Sequence, residues 1–143
     1  MFKINPLETI LWTFRRNEND VVNLYNTLSP VMQLATGDSM LNFGYWCSDD
    51  TSPIVAQNRL CDIVGKLAVL DSANSLLDIG SGLSSPAIMW ARLYPSIDIS
   101  CVNINYNQLQ LAQKIVDKKT TGQKIHEINS TSTMLPFSSN SIE

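Results

Sequence analysis

The stretch LLDIGSGLSSPAIMW, residues 76–90, decides the fold of this 143-residue chain. Its apolar run carries one acid, Asp78, and stops at the turn Gly80–Gly82, where neither glycine has a Cβ to keep a ligand away from the backbone. Ser84 or Ser85 then stands where a helix N-cap is expected. The stretch therefore predicts a buried strand, a ligand-binding turn and a helix, in that order.

Helix and strand patterns alternate on both sides of this turn. We predict helices at 18–34, interrupted at Pro30, at 53–70, at 85–93 and at 107–119, with further strands at 97–104 and 123–129. Alternating strands and helices imply right-handed crossovers and a parallel sheet. Ligands of such sheets bind at the carboxyl ends of the strands. The fold class is therefore α/β, with N-terminal helices followed by a β-α-β-α-β sheet.

The composition argues against several functions. At 44% hydrophobic and 16% charged residues the chain is globular, and its net charge of −3 comes with no basic run longer than two residues. A nucleic-acid-binding face is therefore not expected. We expect a cytoplasmic protein without a membrane span, because no apolar segment is long enough and no signal-peptide pattern opens the sequence. Cys47, Cys61 and Cys101 match no zinc or redox spacing, so no metal site is expected.

The turn is compatible with two classes of cofactor. A dinucleotide site needs glycine at position 85, free helix N–H groups for a pyrophosphate, and an acid at the end of the second strand. This chain has Ser85, then Pro86, which lacks an N–H, and Asn103 in place of the acid. An NAD-type dehydrogenase fragment is therefore disfavoured. S-adenosylmethionine has no phosphate and needs only close backbone approach and polar partners, which the sequence provides.

Residues 76–85, LLDIGSGLSS, resemble the first motif of the class I, Rossmann-like methyltransferases that use S-adenosylmethionine. Three further stretches are similar in order and spacing: LNFGYW at 41–46, VNINYNQLQLAQK at 102–114 and INSTSTMLPFSSNSIE at 128–143. The motifs are most similar to those of the small-molecule enzymes related to cyclopropane-fatty-acid synthases and to tocopherol and sterol methyltransferases. The resemblance implies methyl transfer from S-adenosylmethionine to a small-molecule acceptor.

The resemblance also implies a set of cofactor-binding residues. Asp78 would order the amino group of the cofactor, Asn103 and Gln108 would lie beside its ribose, and an aromatic ring would close over its methionine end. Family members commonly have acids at the positions of Asn103 and Thr131, so two charged hydrogen bonds are replaced by neutral ones. No residue is nominated as a catalytic base. The complete set is Tyr45, Asp78, Gly80, Gly82, Asn103, Gln108, Thr131 and Ser132.

We divide the chain into an N-terminal helical segment with an aromatic lid loop, residues 1–52, and an incomplete cofactor-binding portion, residues 53–143. The resemblance implies that a fourth strand begins at 142–143, so that the first strand is left with an unpaired apolar edge. Such edges tend to pair with another chain. We expect a homodimer, a partner chain at this edge, or a longer protein. The alternative to an enzyme is a non-catalytic or split methyltransferase-like module that works by association.

Overall fold

The computed structural model describes residues 6–14, 17–49, 52–120 and 122–142. Within these ranges, no helix combines the length and the apolar character that a bilayer crossing needs. The elements in chain order are α1 (Pro6–Phe14), α2 (Glu18–Thr36), α3 (Pro53–Leu67), β1 (Ser75–Ile79), α4 (Ser85–Leu93), β2 (Asp98–Asn103), α5 (Tyr106–Lys119) and β3 (Lys124–Asn129).

The three strands form one parallel sheet in the order β1-β2-β3. Two crossovers in the same direction place α4 and α5 on the same face of this sheet, because βαβ crossovers are right-handed. Among the described residues, β1 has no neighbouring strand on its other side. The α/β class and the β-α-β-α-β order predicted from the sequence are confirmed.

The core lies between the sheet and α4. Ile97 and Ile99 are fully buried against Ala87 and Trp90 of α4. The indole nitrogen of Trp90 donates to the carbonyl oxygen of Cys61 over 2.9 Å, which ties α4 to α3. Burying an aromatic ring and satisfying its N–H together fix the position of α4, and with it the turn that precedes α4.

The predicted interruption at Pro30 is wrong, because α2 runs without a break from Glu18 to Thr36. A proline inside a helix removes one backbone hydrogen bond. The neighbouring Ser29 hydroxyl donates to the carbonyl oxygen of Tyr25 over 2.6 Å, so this turn keeps a polar contact. The sequence patterns also missed α1, which covers nine residues.

The start of α4 differs in detail from the prediction of a serine N-cap. Ser84 occupies the cap position with a φ of 55°, in the left-handed region, and its side chain makes no capping hydrogen bond. The Ser85 hydroxyl instead lies 2.8 Å from the hydroxyl of Ser39, in the loop after α2. The turn therefore enters α4 through an unusual backbone conformation that the N-terminal segment helps to hold.

Candidate functional site

A cavity of about 980 Å³ lies at the carboxyl ends of the three strands and is covered on one side by α2. The Gly80–Gly82 turn lines it at the β1 end, and residues 130–133 line it at the β3 end. Val21, Leu24 and Tyr25 of α2 add an apolar wall. The sequence showed the helical spacing of these three residues, but nothing in it connected them with the site.

The glycine turn follows β1 and is hydrogen-bonded to the end of β2. The backbone N–H groups of Gly80 and Ser81 both donate to the carbonyl oxygen of Val102, over 2.7 and 3.2 Å. Gly80 and Gly82 have φ values of +79° and +61°, which L side chains rarely adopt. These two N–H groups are directed at β2 and not at the cavity, so they are not available to a phosphate.

Asp78 brings a poorly solvated carboxylate to the cavity wall. Its Oδ2 atom and the hydroxyl of Ser81 are buried, and neither has a hydrogen-bond partner among the described residues. Burial raises the pKa of Asp78 to about 6. Buried polar atoms normally have partners, so the pair indicates a ligand that donates hydrogen bonds or carries positive charge.

The charged residues of the cavity lining are all acidic. They are Glu18, Asp20 and Asp78, and no lysine, arginine or histidine is found among the described residues that line it. An acidic cavity attracts cations and repels anions. Together with the orientation of the turn, this favours a cationic cofactor such as S-adenosylmethionine over a dinucleotide with its pyrophosphate.

Asn103 supports the glycine turn through side-chain hydrogen bonds. Its amide nitrogen donates to the carbonyl oxygen of Gly82 over 3.2 Å and to Oε1 of Gln108 over 2.9 Å. Its Oδ1 accepts the backbone N–H of Asn105. Both N–H bonds of the amide are thus used within the protein. The residue expected beside the ribose lines the cavity, and it also supports the turn.

Replacing Asn103 by aspartate, the acid common at this position in the resembling family, is expected to destabilise this protein. A carboxylate cannot donate, so the Gly82 carbonyl and Gln108 Oε1 would each lose a donor and face a negative charge. We expect a loss of about 2 kcal/mol or more in the free energy of unfolding, measured in urea. A variant as stable as wild type would show that these two bonds contribute little. Asn107→Asp, at an exposed position of α5, is the control.

Gln108 continues this network to α2. Its Nε2 donates to the hydroxyl of Ser29 over 2.7 Å, and the side chain is 5% exposed. Asn105 makes a parallel link, from its Nδ2 to Oδ1 of Asn26 over 3.0 Å. Gln108 does line the cavity. The bond from Gln108 to Ser29 also fixes α2 over the cavity, so Gln108 contributes to a ligand site partly by positioning α2.

The remaining predicted residues lie in different surroundings. Thr131 and Ser132 line the cavity at its β3 end, and the Thr131 hydroxyl donates to Oε1 of Glu18 over 2.9 Å. Tyr45 is 53% exposed and is not part of the cavity lining. From the same loop, Leu41 and Asn42 reach the cavity. His126, on β3, pairs with Asp98 over 2.9 Å and does not line the cavity.

A second acid, Glu127 on β3, lies in the same row of the sheet as Asp78 on β1, with Cys101 of β2 between them. Burial raises the pKa of Glu127 to about 7, the Ser84 hydroxyl lowers it by less, and the charge of Asp78 raises it further. Burial also raises the pKa of the Cys101 thiol. Two poorly solvated acids thus lie on one face of the sheet, and of the two only Asp78 lines the cavity.

Glu127→Gln is expected to raise the melting temperature by a few degrees at pH 8 and to leave it nearly unchanged at pH 4.5. The pKa of Glu127 is higher in the native state than in the unfolded state, so its ionisation lowers the free energy of unfolding. This loss grows as the pH rises from about 4 to about 7, and it stays at its full size above pH 7. Glutamine keeps the shape and carries no charge. Thermal unfolding at both pH values tests this, with the exposed Asp71→Asn as control. An equal shift at both pH values would contradict it.

Comparisons with known proteins agree with this geometry. No protein-family profile matches the chain. Among curated proteins, an erythromycin 3''-O-methyltransferase from Saccharopolyspora erythraea is 20% identical over 127 residues, covering 89% of this chain and 42% of that protein. Among solved structures, the 4+2 cyclase SpnF matches with a TM-score of 0.80 and 26% identity, over 89% of this chain and 47% of that one.

A third match is the mycolic acid cyclopropane synthase CmaA1, solved in complex with SAH and CTAB. It has a TM-score of 0.66 and 18% identity, and the match covers 85% of this chain and 42% of that one. The chain thus spans less than half the length of each of these three relatives. The chain has the fold of the class I, Rossmann-like, S-adenosylmethionine-dependent methyltransferases.

Proposed function

We propose that this chain binds S-adenosylmethionine and forms the cofactor-binding portion of an enzyme that methylates a small molecule. The observation that carries the proposal is the cavity itself, with its glycine turn, its acidic lining and a buried oxygen of Asp78 that has no partner in the described part of the chain. A curated relative that methylates an oxygen of erythromycin supports a small-molecule acceptor. We take residues 53–143 as the cofactor-binding portion and residues 1–52 as its cover.

The residues present fit this cofactor. Asp78 and the Ser81 hydroxyl would hold its ammonium group, and the Gly80–Gly82 turn would let the ligand approach the backbone. The apolar wall of α2 would cover its less polar parts. The cofactor supplies an activated methyl group, and its transfer by in-line displacement depends mainly on proximity and orientation. The chain therefore contributes binding and alignment, and the proposal assigns no catalytic base.

Calorimetric titration tests the proposal directly. We expect S-adenosylhomocysteine and S-adenosylmethionine to bind at one site per chain, and NAD⁺ to show no binding at the same concentrations. The comparison with NAD⁺ matters because the acidic lining should repel its pyrophosphate. Tight binding of NAD⁺ without binding of either adenosyl ligand would reject the proposal.

A second candidate is a non-catalytic or split module that works through another chain. Two observations favour it: β1 leaves one edge unpaired among the described residues, and a fold relative at 26% identity is named a cyclase. Fold alone does not determine the reaction. Gel filtration with light scattering would detect a dimer or a partner complex. Association that persists without any detectable binding of adenosyl ligands would favour this candidate over the enzyme.

A further inference from the structure

Glu18 places a second carboxylate at the β3 end of the cavity, opposite Asp78 at the β1 end. It is the first residue of α2, whose start is fixed by a capping box in which the side chains of Asn17 and Asp20 each accept the other's backbone N–H. From the other side, the Thr131 hydroxyl donates to Glu18 Oε1. Glu18 is exposed, and this bond joins its carboxylate to a segment more than a hundred residues away in the chain. A carboxylate accepts several hydrogen bonds, so it keeps the capacity to bind a ligand.

The width of the sheet between the two ends of the cavity suits one elongated ligand. Neighbouring strands lie about 4.8 Å apart, so the ends of β1 and β3 are separated by roughly 10 Å. An adenosyl amino acid carries hydrogen-bond donors at both ends, an ammonium group at one and the 6-amino group of its base at the other. The buried oxygen of Asp78 suits the ammonium group, because an unsolvated acid gains most from a full positive charge. That leaves Glu18 for the base.

We propose that Glu18 determines the specificity of the cavity for a 6-aminopurine by accepting a hydrogen bond from the exocyclic amino group of the base. This inference rests on the proposed binding of an adenosyl ligand. A 6-oxopurine presents an acceptor at the same position, and two acceptors repel each other. Hydrogen bonds to charged groups are about twice as strong as neutral ones, so the discrimination should be about tenfold or more.

The test compares S-adenosylhomocysteine with S-inosylhomocysteine, which differ at this position of the base, by calorimetric titration of the whole chain. Wild type should prefer the adenosyl ligand by about tenfold or more. Glu18→Gln should abolish or reverse the preference, because its amide can donate to the 6-oxo group. Thr131→Val, which removes the group that orients the carboxylate, should reduce the preference. Asp117→Asn, at an exposed helical acid that also accepts one side-chain hydrogen bond, should leave it unchanged.

The outcomes separate this inference from the proposed function. Binding of the adenosyl ligand with the same preference in wild type and Glu18→Gln would overturn the role of Glu18 and leave the proposed function intact. An equal loss of affinity for both ligands in Glu18→Gln and Thr131→Val would also overturn it, because Glu18 would then only attach α2 to the β3 end. If wild type binds neither ligand, the proposed function and this inference both fail.

Discussion

Gly80→Asn is expected to weaken the binding of S-adenosylhomocysteine by about a hundredfold or more, while the protein stays folded. A Cβ at Gly80 would meet no atom within 4 Å, so the protein itself has room for the side chain. That room belongs to the cavity, where the ligand is expected to approach the backbone. Asparagine tolerates the left-handed φ of +79° better than most residues. The effect should therefore come from occupied space, with a cost of about 3 kcal/mol in binding.

Gly122→Asn provides a matched control. Gly122 has a φ of +78° and an exposed location before β3, away from the cavity, and a Cβ at this position would also meet no atom within 4 Å. Both variants should lose a similar, small amount of thermal stability. Only Gly80→Asn should lose binding in calorimetry. Equal affinities in the two variants would show that the turn does not contact the ligand.

The sequence predicted the parallel sheet and the glycine turn because both are encoded locally. An apolar run, two glycines and a proline within 76–90 determine a strand, a turn and a helix start without help from distant residues. The alternation of such units then implies the sheet order, since crossovers have one hand.

Long-range contacts at the site were not predictable in this way. Gln108 bonds to Ser29 across 79 residues, and Thr131 bonds to Glu18 across 113. No periodicity or motif connects residues so far apart. Asn103 illustrates the consequence: it lines the cavity, as the implied ribose contact requires, but its bonds to Gly82 and Gln108 could not be predicted. The positions of site residues follow from motifs, but their hydrogen bonds depend on how α2 packs over the cavity.

The loop before α3 shows the same dependence on tertiary contacts. Gln57 of α3 donates to the carbonyl oxygens of Met40 and Asn42 over 3.1 and 2.7 Å. The Tyr45 N–H donates to the carbonyl oxygen of Ala56 over 2.8 Å. These bonds attach the loop to the start of α3. With the loop in this position, Leu41 and Asn42 line the cavity and Tyr45 does not. The aromatic residues suggested a lid, but the backbone bonds decide which side chains face the site.

Gly44→Ala should therefore destabilise the protein by about 3 kcal/mol or more in urea unfolding. A Cβ at Gly44 would lie 2.7 Å from Ala56 Cβ and 2.9 Å from the backbone nitrogen of Gln57, and these atoms belong to a packed helix that cannot move aside cheaply. The φ of +78° adds strain of about 1 kcal/mol or more.

Gly37→Ala separates these two causes. Gly37 has the same φ of +78°, but a Cβ there would meet no atom within 4 Å, so this variant should lose only the strain energy. The difference between the two variants then measures the contact between the loop and α3. Because Leu41 and Asn42 reach the cavity from this loop, Gly44→Ala should also weaken binding of S-adenosylhomocysteine, whereas Gly37→Ala should not. Equal losses of stability in both variants would mean that the loop can move away from α3 at little cost. Contact with α3 would then not determine which side chains of the loop face the cavity.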